Sequence, residues 1–422
     1  MNENIKNIYF DILHIYLNGT YLNRPYSYHK RYYPKILLAL KLVVKELIKF
    51  FGYSLLGFYF ENKHDKIEQK LKEKKWLFII SKNNYDSVSF IKTRSSGWEY
   101  VGDYGPATRI QVQHLRYKSF YLLPFLLFEI KRQGYSLRQN FYLILSTVGL
   151  YEAYIYKLKK LNPKIIVFSN DHTRISRALL LAAKEVDIPT VYIQHASVTE
   201  KFPPIRFDLS LLDGEDTYEK YRKITGSDFH HQYIGMPKFD QHLKFRREKH
   251  ITKVIGVSFN IIEEIEHVYS VLIYLKSKFT AIEFIFRPHP GDERDFSKFY
   301  KLASISDSKR ESVFDYLKKI DIHIAGDSGI HLESTILNIP SVFYSFFSDY
   351  RFSDNYGFIK RDVVFKAVNL LELERIINEL IHYPKDVYER VKYFNALIGE
   401  EFEGNSQGLA MKYINDFLVI DL

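Results

Sequence analysis

Residues 320–344 read IDIHIAGDSGIHLESTILNIPSVFY, and this stretch decides the fold. The apolar run 320–325 is long enough for a buried strand and too short for a helix. It breaks at Gly326-Asp327-Ser328-Gly329, residue types that let a chain turn. Helical periodicity follows over 329–339, with Ser328 placed to cap the helix. Pro340 then stops the helix ahead of a second apolar run, 340–345. Strand, turn, helix, strand is the repeating unit of a parallel, doubly wound sheet.

The rhythm extends outward from there. KVIGVSFN (253–260) reads as a strand, 261–279 as a helix, and AIEFIFRPHP (281–290) as a strand ending in a proline-stiffened loop. Across a charged stretch, KFRREKHITK (244–253), the pattern appears once more. There LNPKIIVFSND (161–171) is a strand, 172–188 a helix, and strands follow Pro189 and lie within FDLSLLDG (207–214) and HHQYIG (230–235). Residues 1–150 read as helix-rich, with helices expected over 118–131 and 141–160 and one short strand at 76–81. The expectation is an α/β protein of two doubly wound, Rossmann-like domains, 1–250 and 251–422, with a helix near 408–417 folding back on the first. Ligands of such sheets bind beyond the carboxyl ends of the strands, so the polar residues that follow the strands are the candidate site.

Composition narrows the function classes. With 422 residues, two cores can be built. The absence of Cys removes disulfides, thiolate metal sites and a Cys nucleophile. No HExxH or DxDxDG pattern occurs, so no metal is expected; no GxxxxGK[ST], GxGxxG or GxSxG occurs either. The net charge of +10 admits anionic substrates or lipid. Its basic residues are scattered and carry no nucleic-acid motif, so nucleic acid is not an expected partner. The first residues lack the basic start and cleavage site of a signal peptide, which points to the cytoplasm. Residues 32–60 interrupt an apolar, aromatic run with Lys35, Lys41, Lys45 and Lys49. A helix there would carry Lys41, Lys45 and Lys49 on one face and could either pack inward or lie on a membrane surface.

The candidate residues divide by domain. In the second, Arg287 and His289 of RPHPGD pair a planar donor fork with a second donor, a combination suited to phosphate oxygens. Asp327, Ser328 and Gly329 open the helix after a strand, and Glu333, about one turn in, could reach a ribose or sugar hydroxyl. In the first, His195 ends a strand and has the chemistry of a general base near neutral pH. Asp171 could act as base, orient a neighbouring His such as His172, or cap the next helix; Asp213 is a third candidate base. Arg174, Arg177 and Gln194 could meet an acceptor.

Together these residues resemble GT-B transferases of bacterial surface polymers. The CDP-glycerol glycerophosphotransferases of teichoic acid synthesis carry a His-Gly, a His-Pro and a Ser-rich turn with a downstream acid. Gln194-His195-Ala196, His289-Pro290, and Ser328 with Glu333 stand at those places, with Ala196 for the Gly and Gly329 for a second Ser. Bacterial sialyl- and polysialyltransferases carry acidic-acidic-Gly, His-Pro and Ser motifs. Here Asp213-Gly214, His289-Pro290 and Ser328 are similar, with Leu212 in place of the first acid. The resemblance implies an inverting, metal-independent transferase without a cofactor, its first domain on the acceptor side and its second holding the nucleotide donor. Its partners would be a nucleotide sugar, CMP-, CDP- or UDP-linked, and a glycan or lipid-linked glycan of capsule or lipopolysaccharide type, met at the inner face of the cell membrane. The alternatives are polyol-phosphate transfer of the CDP-glycerol type, a nucleotide-sugar 2-epimerase of the same fold, and a non-catalytic component of capsule assembly.

Overall fold

The computed structural model describes residues 3–18, 37, 40–49, 51–52, 66–248, 251–349 and 353–420. The chain is organised around two six-stranded sheets, parallel throughout. The first holds β1 (Lys75–Ile79), β2 (Trp98–Gly102), β3 (Ile165–Phe168), β4 (Thr190–Ile193), β5 (Leu209–Leu212) and β6 (His231–Tyr233), in the order β2-β1-β3-β4-β5-β6. The second holds β7 (Val254–Phe259), β8 (Glu283–Pro288), β9 (Ser304–Ile305), β10 (Ile322–Ala325), β11 (Ser341–Tyr344) and β12 (Phe365–Ala367), in the order β12-β11-β10-β7-β8-β9. That second order is the one used by dinucleotide-binding folds. Strand order reverses between β1 and β3 in one sheet and between β7 and β10 in the other. At each reversal a crevice opens beyond the strand ends. Strands β3, β4, β5, β10 and β11 are buried at every residue, as strands covered on both faces must be. These are two Rossmann-like units in the GT-B arrangement.

The helices are α1 (Glu3–Asn18), α2 (Lys82–Arg94), α3 (Leu123–Arg132), α4 (Leu137–Thr147), α5 (Leu150–Leu161), α6 (Arg174–Glu185), α7 (Glu215–Thr225), α8 (Ile265–Lys278), α9 (Val313–Leu317), α10 (Ile330–Ile336), α11 (Leu370–His382) and α12 (Ser406–Ile420). Residues 40–49 are also helical. The long helix expected over 141–160 is instead α4 and α5, broken at Gly149. That glycine has φ 76°, and a Cβ there would lie 2.5 Å from the Arg116 carbonyl oxygen. The helix expected over 118–131 begins as a tight 3₁₀ turn, Arg116–Leu122, and becomes α-helical where Pro124 sits in the first turn of α3. The first 150 residues also supply β1, α2 and β2 to the first sheet, so this stretch is less purely helical than its composition suggests. Ser81 Oγ caps α2 by accepting from Asn84 N.

The chain's end returns to the first sheet. Leu409, Ala410, Ile414 and Leu418 of α12 share one core with Leu77, Ile79 and Val88. On the way, 393–396 crosses beside Gly214, with Asp216 N donating to Tyr393 O (3.0 Å) and Ala396 N to Asp213 O (2.9 Å). A Cβ on Gly214 would meet the Phe394 carbonyl carbon at 2.8 Å, so glycine permits this crossing by its size.

Candidate active site in the cleft

The carboxyl end of β3 carries the most developed constellation. Asn170 Oδ1 accepts from His172 N and Thr173 N, and Thr173 caps α6 in a capping box with Ser176. Capping is thus done by Asn170 and Thr173, which leaves Asp171 for other work. Asp171 is fully buried. Its Oδ2 accepts from Tyr221 Oη at 2.5 Å, and its Oδ1 lies 3.1 Å from His172 Nδ1. Burial alone would push the Asp171 carboxyl up, but the hydrogen bonds from His172 and Tyr221 outweigh it and hold the group below its ordinary value. An ionised Asp171 only accepts, so it holds a proton on His172 Nδ1 and leaves Nε2 as the ring position turned away from it. The His172 ring stacks on His195 at 5.8 Å and packs on Phe202 at 4.5 Å.

His195, at the end of β4, is only partly exposed, and its Nδ1 is buried with no hydrogen-bond partner among the described residues. Burial, with His172 and Lys238 as neighbours, drives its imidazole down to about 3, so the ring is neutral at physiological pH. Beside it, Asp213 ends β5. Burial pushes its carboxyl well above the ordinary range, with Lys238 opposing only in part. Gln194 is committed to the framework. Its Oε1 accepts from Asp213 N (2.8 Å) and its Nε2 donates to Ala196 O (3.1 Å), so it ties the ends of β4 and β5 together.

Lys238 closes the arrangement. It lies in the 3₁₀ turn Pro237–Phe239 that follows β6, and its Nζ reaches Glu333 Oε1 at 2.9 Å. Burial would lower this ammonium, but Glu333 and then Asp213 more than compensate and hold it above its ordinary value. One lysine therefore links His195 and Asp213 of the first unit with Glu333 of the second.

On the second unit, the turn 326–329 stands at the β7/β10 reversal. Asn260, just past β7, donates from Nδ2 to Asp327 O (2.9 Å) and bridges the reversal. Asp327 turns its carboxylate to the neighbouring loop, where Oδ2 accepts from Ser353 Oγ (2.8 Å) and Asn355 N (3.2 Å). Gly329 takes helical angles and becomes the cap of α10, which has no side-chain cap bond. The helical turn thus starts one residue late for Ser328 to cap it, and Ser328 is left partly exposed. His289 is exposed and accepts from Gly291 N through Nδ1 (3.1 Å), so its proton is on Nε2. Arg287 is turned inward. It donates to Ser306 Oγ (2.6 Å) and Glu311 O (2.9 Å) and lies over the Tyr316 ring.

The structure thus brings together Asp171, His172, His195, Asp213 and Glu333. It sets Ser328 and Gly329 at the strand reversal and gives Arg287, Asp327 and Gln194 framework contacts. Arg174 and Arg177 face the helix-rich layer. Arg174 bonds Ser146 Oγ and lies over the Tyr16 ring, while Arg177 is buried against Asp11 and the Pro204 carbonyl. Sequence reasoning missed Lys238 and Tyr221. The signal for Lys238 was present: it directly follows Gly235-Met236-Pro237, the turn at the hinge. Among the described residues, no group of three or more His, Asp or Glu side chains is placed to hold a metal ion.

The fold is shared with solved structures. A UDP-GlcNAc 2-epimerase from Neisseria meningitidis, bound to UDP-GlcNAc, aligns with a TM-score of 0.53 at 14% identity, over 82% of this chain and 99% of that one. A putative UDP-N-acetylglucosamine 2-epimerase from Listeria monocytogenes aligns with a TM-score of 0.54 at 12% identity, over 82% and 97%. A form of the wall teichoic acid polymerase TagF aligns with a TM-score of 0.52 at 13% identity, over 90% and 98%. At such identities the likeness establishes the GT-B fold. No protein-family model and no curated protein sequence matches the chain.

Proposed function

We propose that the chain is an inverting, metal-independent GT-B glycosyltransferase that moves a sugar from a CMP-, CDP- or UDP-linked donor to a growing surface polysaccharide. The observation that carries this reading is Lys238, which pairs with Glu333 of one unit and lies within electrostatic reach of His195 and Asp213 of the other, where His195 stacks on His172 and His172 bonds Asp171. In the reaction, the acceptor oxygen bonds to the anomeric carbon as its proton passes to His172 Nε2. The bond from that carbon to the donor phosphate breaks, and its electron pair leaves on the nucleotide. Asp171 holds the imidazole in position and balances the charge it gains. His289, Lys238 and the turn 326–329 meet the charge that develops on the nucleotide. The test is incubation of the purified chain with each nucleotide sugar, with and without glycan acceptors. Acceptor-dependent nucleotide release supports the reading. Transfer of glycerol phosphate from CDP-glycerol would redirect it to polyol-phosphate transfer, and absence of binding to any nucleotide would leave an assembly component.

One observation favours a second reading. Asp213, whose carboxyl burial pushes well above the ordinary range, and the base His172 lie in the same cleft, an acid and a base that could return and remove a proton at one sugar carbon. A 2-epimerase would convert a nucleotide sugar without acceptor and carry solvent deuterium into the product, which a transferase would not.

The reading includes peripheral attachment to the inner face of the cell membrane. In the 40–49 helix the apolar face is turned out: Leu40, Val44 and Ile48 are exposed, as are Leu37 and Phe51, and Lys41 and Lys45 flank them. Lys35 and most of residues 50–60 lie outside the described residues. Tyr121, Phe125 and Phe128 form a second exposed stripe beside Lys118, Lys131 and Arg132. Arg116, which stands 3.7 Å from Glu46, links the two segments. Apolar stripes edged by basic residues suit an anionic lipid surface. Among the described residues, no helix is long and apolar enough to cross a membrane.

A further inference from the structure

We propose that His331 is a positioning residue for the glycine turn 326–329, acting as the last link of a one-way chain of four buried side chains. The chain runs from Ser258 on β7 through His323 on β10 and Ser341 on β11 to His331 on α10. Ser258 Oγ lies 2.7 Å from His323 Nε2, and His323 Nδ1 lies 2.9 Å from Ser341 Oγ. Ser341 Oγ lies 2.6 Å from His331 Nδ1, and His331 Nε2 lies 2.7 Å from the Gly326 carbonyl oxygen. His323, Ser341 and His331 are at most 1% exposed.

The direction of every proton follows from the terminal carbonyl. A carbonyl only accepts, so His331 carries its proton on Nε2. Burial lowers both imidazoles, His331 to about 4 and His323 well below its ordinary value, so each holds a single proton at neutral pH. His331 Nδ1 is then a lone pair that accepts from the Ser341 hydroxyl. Ser341 has only one proton to give, so His323 must donate to it from Nδ1. That leaves His323 Nε2 to accept from Ser258.

The chain's output is the orientation of one peptide plane. With the Gly326 carbonyl held by His331, the Asp327 N–H must point the opposite way, because the peptide is planar and trans. The next carbonyl, Asp327 O, is held by Asn260, and Glu263 closes the near side. A Cβ on Gly326 would lie 1.8 Å from Glu263 Oε1. The turn at the sheet's switch point is therefore locked from inside the core. That it meets the donor rests on the proposed function; the proton order does not.

Long-range proton–nitrogen spectra of the ¹⁵N-histidine-labelled chain test the order at neutral pH, with His323→Asn and His331→Gln assigning the signals. The expected result is neutral His331 protonated on Nε2 and neutral His323 protonated on Nδ1. His323 protonated on Nε2, or either ring charged, would overturn the chain. His331→Phe, which removes the donor, should shift the Asp327 amide resonance, and His331→Gln, which can still donate to Gly326 O, should restore it. An Asp327 amide unmoved in a folded His331→Phe would defeat the positioning role. With CMP, CDP and UDP as probes, His331→Phe should bind the preferred one about tenfold more weakly, the effect of one lost hydrogen bond, and His331→Gln close to wild type. If the wild type binds none of the three while the tautomers stand, the donor reading fails and the chain remains.

Discussion

Lys238 Nζ stands 2.9 Å from Glu333 Oε1, and this pair joins the turn after β6 to the first turn of α10 across the cleft. Both side chains keep some solvent contact, at 25% and 18% exposure, so the contact can be exchanged when a ligand enters. Its place between Asp213 and Glu333 gives it a part in binding as well as in holding the two units together.

Lys238→Met should therefore lower kcat/KM for the donor by at least about tenfold, the effect of one charge-assisted hydrogen bond. It should move the melting temperature by no more than about 2 °C, since partly exposed pairs contribute about 1 kcal/mol or less. Steady-state kinetics and a thermal melt on the same preparation read both. Unchanged kcat/KM would remove Lys238 from the site.

Asp171→Asn keeps the shape but no longer fixes the His172 proton on Nδ1. The expected loss in kcat is about 10²- to 10⁴-fold, the range for a displaced general base, with donor affinity close to wild type. Single-turnover assays alongside nucleotide titration separate the two quantities. A proportionate loss of affinity would mean that Asp171 serves folding or binding instead.

His195 makes stability depend on pH in a stated direction. An unfolded imidazole takes up its proton near pH 6.5, whereas folded His195 resists until about 3. Between those values the unfolded state binds the extra proton, so this contribution rises with pH and is lost as pH falls from about 6.5 towards 3. His195→Gln lacks it. Urea unfolding at about pH 7 and about pH 5 should show the difference between wild type and variant moving in the variant's favour on acidification. A difference independent of pH would mean that His195 is not held neutral.

Replacing Ile48 and Phe128 together by Glu places charge on both exposed stripes. Binding to vesicles containing phosphatidylglycerol should fall by at least about tenfold in a sedimentation assay, while turnover of water-soluble substrates stays the same. Equal binding by the double variant would mean that these stripes do not meet lipid.

Much of the fold was legible because its signals are local. The turn 326–329 between apolar runs, and strands closed by Asn170-Asp171 and Gln194-His195, mark strand ends whatever packs around them. What was not legible depends on distant parts of the chain. The break at Gly149 is imposed by the Arg116 backbone, far away in sequence. Arg287 looks like a phosphate ligand from its neighbours, yet Ser306 and Glu311 draw it inward. Arg177 has the spacing of an acceptor contact, but α1 brings Asp11 to it. Ser328 had the identity of a cap and lost the role to Gly329 through one residue of helix register. Lys238 stood beside the legible hinge turn Gly235-Met236-Pro237, but that this turn carries it to Glu333 is a long-range fact.

The central claim is that the two strand reversals form one nucleotide-sugar site, with His172 as base on one side and Glu333 on the other. The most direct measurement is thermal stabilisation of the wild type, Glu333→Gln and His172→Asn by CMP, CDP, UDP, GDP and their sugar conjugates, since a ligand that binds only the folded chain raises its melting temperature. The account predicts that one nucleotide family stabilises the wild type and His172→Asn alike and stabilises Glu333→Gln clearly less. Stabilisation by no nucleotide, or by the same amount in Glu333→Gln as in the wild type, would contradict it.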